Sequence, residues 1–268
     1  MSKMNAVFLF LPLFLLSSFL FAQDNKAATV PARDVQAVDL LANAIAAAGG
    51  ISALAPLQSF TGSGTITYYW AGKEVEGAAT IRGRGLEQFR LDANLPSGTR
   101  SWTVSHGRGS LREADGSINT IPYHNAITLG SLTFPYSRIV AALQDSSFSA
   151  TYVGLQEIAG SQFHQIRLSK QVVSGSAATE ASKKLGTVDV FIDPNSFAVL
   201  GIQDLTHPRQ TILKDIHHAI YFADFRVING VSVPFAIDET IDGQKTWSLH
   251  LNDVRFNAAL TDADFSTF

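Results

Sequence analysis

One stretch restricts the fold more than any other: Ile216–Asn257, IHHAIYFADFRVINGVSVPFAIDETIDGQKTWSLHLNDVRFN. Ile220 and Phe222 share one phase, a one-residue slip brings in Phe225 and Val227, and Asn229-Gly230 follows. Val231, Val233, Phe235 and Ile237 then alternate toward Asp242-Gly243; Trp247, Leu249 and Leu251 alternate again before Val254 and Phe256. A period of two turns one face of a strand toward apolar surroundings and the other toward water. Asn-Gly and Asp-Gly tolerate the positive φ angles of tight hairpin turns. The stretch therefore predicts three antiparallel strands in a meander. Pro234 has no N–H to give to a ladder, which predicts an edge strand or a bulge at that point.

The same alternation fills most of the chain upstream. Phe60–Trp70, Lys73–Arg82, Leu86–Leu95 and Arg100–His106 read as strands, with a further hairpin through Leu111. Phe148–Ala159, Gln162–Val173, Gly186–Asp193 and Phe197–Leu205 continue the pattern, giving roughly ten or eleven strands, within the range of a large curved sheet. Two segments follow helical spacing instead. Asp34 can cap a helix through Ala48 whose apolar stripe is Val35, Val38, Leu41, Ile45 and Ala48, ended by Gly49-Gly50. Pro135–Gln144 reads as a second helix, with Pro at its start. Asn119–Pro135 is irregular and uncharged, and Val173–Leu185 reads as a mobile loop.

Residues 1–22 read as a cleavable signal peptide: Lys3, an apolar core from Val7 to Leu16, and Ala22 before the cut. An uncleaved anchor is the rival reading. Residues 23–33 form a flexible leader and 34–268 a single β domain. Without the first 22 residues only Lys3 is lost, leaving 19 basic against 23 acidic side chains. That balance argues against nucleic acid or an anionic membrane as the main partner. There are no cysteines, which excludes disulfides, thiolate metal sites and a lipid-modified cysteine.

Catalytic and metal-binding patterns are not assigned, and no cofactor is expected. His217-His218 is the only histidine cluster, and adjacent strand residues point to opposite faces. Gly62-Ser63-Gly64 and Gly130-Ser131 lack the strand-to-helix setting of a nucleophile elbow. The glycines around Arg84 and Arg108 sit between strands, where phosphate cradles are not built. Asp238 with Glu239, and Asp262 with Asp264, read as solvated carboxylates beside turns.

Phe225, Asn229-Gly230, Val233-Pro234, Leu251-Asn252-Asp253-Val254, Phe256-Asn257 and Phe265 fall in an order that resembles the C-terminal part of the LolA/LolB-like superfamily. The resemblance implies a mainly β fold: an open, strongly curved antiparallel sheet, an unclosed half-barrel packed on about two helices, that holds apolar material in its concavity. It further implies a non-enzymatic periplasmic carrier of a lipid or of lipoprotein acyl chains, monomeric, with an envelope protein as a possible partner. Strand aromatics and neighbours that could line such a cavity are Tyr68, Trp70, Phe89, Leu91, Trp102, Phe222 and Trp247. Leu129, Leu132 and Phe134 could form a lid. An envelope sensor or protein-interaction module of the same fold, and a secreted hydrolase, are the rival readings.

Overall fold

The structure is a computed structural model and describes residues 31–129, 134–158, 160–170 and 184–267. The expected signal peptide, most of the leader, Leu132 and all of the Val173–Leu185 loop except Lys184 and Leu185 lie outside the described residues.

The described residues form thirteen strands: β1 (Ser59–Trp70), β2 (Lys73–Arg84), β3 (Gln88–Leu95), β4 (Gly98–Ser105), β5 (Arg108–Arg112), β6 (Ile118–Ile121), β7 (Phe148–Ile158), β8 (Ser161–Lys170), β9 (Val188–Ile192), β10 (Val199–Thr206), β11 (Ile216–Ile228), β12 (Val231–Ile241) and β13 (Gln244–Phe256). All belong to one antiparallel sheet in the order β6-β5-β4-β3-β2-β1-β13-β12-β11-β10-β9-β8-β7. Every pair is a sequence neighbour except β1–β13, which joins the two halves of the chain at the centre. The terminal strands β6 and β7 do not pair, so the barrel stays open. That order forces the chain between them to travel from one edge of the sheet to the other. It does so through α3 (Tyr123–Leu129) and α4 (Pro135–Gln144), and α3 packs on β5 at one side and β10 at the other.

The first helix, α1 (Val35–Ala47), is capped as the sequence predicts, with the Gln36 N–H donating to Asp34 Oδ1 at 3.0 Å. Its buried face differs from the expected stripe: Ala37, Leu40, Leu41, Ala44, Ile45 and Ala48 are buried, whereas Val35 is exposed. The alanines let α1 lie close to α4 and β7 at once, so the contact face is broad and Val35 projects past it. A four-residue α2 (Ile51–Leu54) and α3 were not expected, being too short to show a helical period.

The meander is as predicted, with turns at Asn229-Gly230 and Asp242-Gly243, all four at positive φ. Pro234 corrects the expectation of an edge strand or a bulge. β12 is interior, and no register shift occurs opposite Pro234. The β12–β13 ladder starts only at Ala236, and on that side the Ser232 N–H donates to Ala48 O at 2.9 Å instead. Alternate residues face the same way, so Pro234 occupies a position where no strand asks for an N–H. Gly49, at φ +121°, ends α1 against this same turn; a Cβ there would lie 2.2 Å from Gly230 O. The slip after Phe222 coincides with Asp224 at φ +50°, and beyond it Val227 faces water rather than the core.

Sharp bending at the centre of the sheet is permitted at Gly64. A Cβ there would meet His250 O at 1.9 Å, next to the register shift between Ser63 and Gly64. That shift returns Val254 and Phe256 to the inward face, opposite Gly62 and Phe60. One apolar core results, joining α1, α2, α4 and the inward residues of β1–β3 and β7–β13.

Candidate functional site on the inward face

The aromatic residues read from the sequence divide between core and rim. Tyr68, Phe89, Leu91, Phe222 and Trp247 are all closed into the core. Tyr68 stands opposite Trp247 in the β1–β13 pair, and Leu91 opposite Trp102 in the β3–β4 pair. Trp102 is half-buried against the core, and Trp70 is 40% exposed at the rim, stacked on Tyr68 with centroids 4.9 Å apart. Arg100 lies over both rings, 4.7 Å from the Tyr68 centroid and 5.4 Å from that of Trp70, and its Nε donates to Glu113 at 2.9 Å. Burial pushes the Tyr68 hydroxyl up from its ordinary range, against the lowering effect of Arg100. Phe222 sits apart from this group, opposite Ile237 on the far side of β13.

Of the lid residues, Leu129 ends α3 half-buried, and Leu132 lies outside the described residues. Phe134 is buried among Phe60, Tyr136 and Phe256, with centroids 5.4–5.6 Å away. The space left between Phe60, Phe134, Ser137 and Phe256 is about 10 Å³, room for no more than a water. Larger clefts lie elsewhere: about 360 Å³ beside Arg167, Asp189 and His217, about 690 Å³ between α1 and His164, Pro194 and Phe197, and about 230 Å³ between Tyr123, Ala126 and Ile127 of α3 and Glu87, His106 and Gly107. None of the seven aromatic-set residues lines any of the three.

Beneath α3 the inward face carries a charged cluster that the sequence reading did not assign. His218 Nδ1 lies 2.6 Å from Asp204 Oδ1, and its Nε2 lies 3.0 Å from Glu239 Oε1. The Thr128 hydroxyl, on α3, donates to Asp204, and the Thr246 hydroxyl donates to Glu239. Arg138, buried on α4, donates from Nη1 to Gly186 O at 3.2 Å. Burial lowers its guanidinium to about 10, opposed by the nearby Asp204 charge. Burial likewise disfavours the His218 cation, but Asp204 and Glu239 outweigh it and hold the ring charged, raised to about 10. This corrects the reading of Glu239 as solvated: it is 3% exposed, while its neighbour Asp238 faces out to Lys245. His217 and His218 do point to opposite faces, the former out to Gln203 at 2.7 Å.

The signal for the cluster was present in the alternation. Asp204 shares the phase of Ile202, His218 that of Ile220 and Phe222, and Glu239 that of Phe235 and Ile237. A charge in an apolar phase is a buried charge, and buried charges come in paired sets.

The cluster's chemistry is that of a fastening. Both imidazole nitrogens are taken by separate carboxylates on opposite sides of the ring, so the three groups do not converge on one point. Among the described residues no three His, Asp or Glu side chains are arranged to hold a metal ion. The two hydroxyls donate to carboxylates that are each already paired with the His218 cation. What the arrangement does is bind the transverse helix to the sheet. α3 is held to β10 by Thr128–Asp204 and by the Asn125 side chain, which bonds both the N–H and C=O of His207 at 2.9 and 2.8 Å.

An open sheet crossed by short helices on its inward side has known counterparts. A LolA superfamily protein from Nitrosomonas europaea superposes on this chain with a TM-score of 0.50 at 13% identity, covering 86% of this chain and 97% of the other. The fold is LolA-like. A putative outer membrane lipoprotein-sorting protein domain from Vibrio parahaemolyticus aligns over 86% of this chain and 96% of its own, at 12% identity and TM-score 0.48. A DUF1329 family protein from Desulfovibrio piger aligns over 86% and 96%, at 10% identity and TM-score 0.45. No family model and no curated protein matches the sequence. At these identities the likeness concerns the fold alone.

Proposed function

We propose that the chain is a non-enzymatic carrier of the bacterial envelope that takes an apolar cargo, a lipid or the acyl chains of a lipoprotein, between the inward face of its sheet and the helices crossing it. The observation that carries this reading is the unpaired β6–β7 opening of a LolA-like sheet whose inward face is aromatic and aliphatic, spanned by α3. The closed core as described leaves no acyl-sized cavity at Tyr68, Leu91 or Trp247, so loading requires α3 to move away. Each CH₂ transferred from water contributes about 0.8 kcal/mol, offset by the contacts broken in opening. The signal peptide read from residues 1–22 fits export to the periplasm, and no described helix is long and apolar enough to cross a membrane.

Native mass spectrometry on protein purified from its own envelope, followed by lipid extraction, tests the reading. A stoichiometric acyl-chain adduct that disappears in Trp102→Asp or Trp247→Asp protein of unchanged far-ultraviolet circular dichroism and still cooperative thermal unfolding supports it. Protein that arrives empty and ignores added phospholipid overturns it. The closed core favours the envelope interaction module as second reading, and crosslinking for a partner would then follow.

A further inference from the structure

Between β10 and β11 the chain runs outward as His207-Pro208-Arg209-Gln210-Thr211-Ile212-Leu213-Lys214-Asp215. At its tip Leu213 is 90% exposed, more than any other large apolar side chain among the described residues, and Ile212 beside it is 36% exposed. The loop holds this display by its own bonds. The Thr211 N–H donates to Pro208 O at 3.2 Å and the Leu213 N–H to Thr211 Oγ1 at 3.1 Å. Its foot is fixed as well: His207 is buried, bonded to Asn125 through its backbone, with Nε2 3.1 Å from Asp215 Oδ1.

The charges around the tip are unbalanced. Arg209 and Lys214 are exposed and make no ion pair or hydrogen bond among the described residues. The acid of the loop, Asp215, is already paired with Lys184 at 2.7 Å. Two adjacent aliphatic side chains thus stand in water with an unpaired cation on either side, on a chain whose formal net charge is −3. The positive charge is local, opposite in sign to the molecule as a whole.

We propose that the 208–214 loop docks the protein on an anionic lipid surface, Ile212 and Leu213 entering the interface while Arg209 and Lys214 meet lipid phosphates. Aliphatic groups lose water on entering the acyl boundary, and cations beside them gain from the negative surface potential. A fluid interface accepts a convex aliphatic tip without the shaped socket that a folded partner must supply. With two side chains and two cations the attachment is reversible. The inference concerns the loop alone and holds whatever the sheet carries.

The absence of cysteine gives a direct test. Gln210→Cys places an environment-sensitive fluorophore in the loop without touching the four residues invoked, and Val227→Cys, at an exposed position near the end of β11, serves as control. Vesicles of phosphatidylcholine with phosphatidylglycerol should shift the 210 probe to the blue and leave the 227 probe unchanged. Vesicles of phosphatidylcholine alone should do much less. Adding Leu213→Asp should weaken the response about tenfold or more, and Arg209→Glu with Lys214→Glu should remove the preference for the anionic lipid. A chain tethered to vesicles by another segment leaves the 210 probe in water, so a silent probe overturns the proposal. An equal response at 227 does so too, and an equal response to both vesicle types overturns the anionic assignment.

Discussion

His218 Nδ1 lies 2.6 Å from Asp204 Oδ1 across the β10–β11 pair, with both side chains 4% exposed. The imidazole is held as a cation, its pKa moved from 6.5 to about 10: burial opposes the charge, and Asp204 and Glu239 more than restore it. Because the folded state binds this proton more tightly than the unfolded chain, its contribution is complete below about pH 6.5 and disappears as pH rises through 10. A tenfold difference in proton affinity between the two states corresponds to about 1.4 kcal/mol. Denaturant unfolding at a series of pH values from about 6 to about 10.5 should therefore show stability falling by several kcal/mol toward the alkaline end. In His218→Gln protein the same series should be nearly flat. A slope that the substitution leaves unchanged would remove the histidine from this account.

Adjacent carboxylates on β12 give a sharper contrast. Glu239→Gln takes a charge out of a buried set and leaves the His218 cation with Asp204 alone, at a cost of about 3–5 kcal/mol. Asp238→Asn removes only the exposed pairing with Lys245 and should cost under about 1 kcal/mol. Equal effects of the two at neutral pH would mean that Glu239 is not buried in the folded protein.

How far the sequence led can be judged at particular residues. The meander was legible because its turns are spelled by Asn-Gly and Asp-Gly and its strands by alternation, both local properties. Pro234 was misread because a missing donor says only that no partner strand is there, and the gap at that point arises from α1 ending beside Gly230. α3 was illegible for a related reason. Seven residues hold too little period to declare a helix, and this one is placed by where β6 and β7 lie in the sheet. Of the candidate cavity, the identity of the inward residues was readable; how closely helices fill the space above them was not, since packing depends on the whole assembly. Glu239 stands beside a turn, where carboxylates are ordinarily solvated, but its phase is that of Phe235 and Ile237, and phase decides its burial.

Asn257 ties the end of β13 to the start of β1. It adopts φ +54°, and its Oδ1 accepts from the Gln58 N–H at 2.8 Å. Asn257→Ala loses the acceptor and strains the backbone, for a total of about 2 kcal/mol, whereas Asn257→Gly keeps the conformation and should lose about 1 kcal/mol. Thermal unfolding of the two variants side by side checks the order; a glycine variant no more stable than the alanine one would rule out the backbone contribution.

Thr128 joins the charged cluster to the helix that spans the opening, and so connects stability to loading. Thr128→Val keeps the side-chain volume but withdraws the hydroxyl from Asp204, which leaves a buried carboxylate oxygen short of a donor and costs about 1–3 kcal/mol. The loss falls on one attachment of α3, since the Asn125 bonds to His207 remain. Amide exchange measured by mass spectrometry should accordingly rise in peptides covering 122–129 while β1, β12 and β13 keep their protection. If α3 is what must move for cargo to enter, the same variant should take up a fluorescent fatty acid faster than the parent protein, with unchanged stoichiometry at saturation. Faster exchange in α3 without faster uptake would assign the cluster to stability alone and place the entry route at another part of the opening. Exchange raised evenly across the sheet would show that Thr128 supports the whole domain rather than one movable helix.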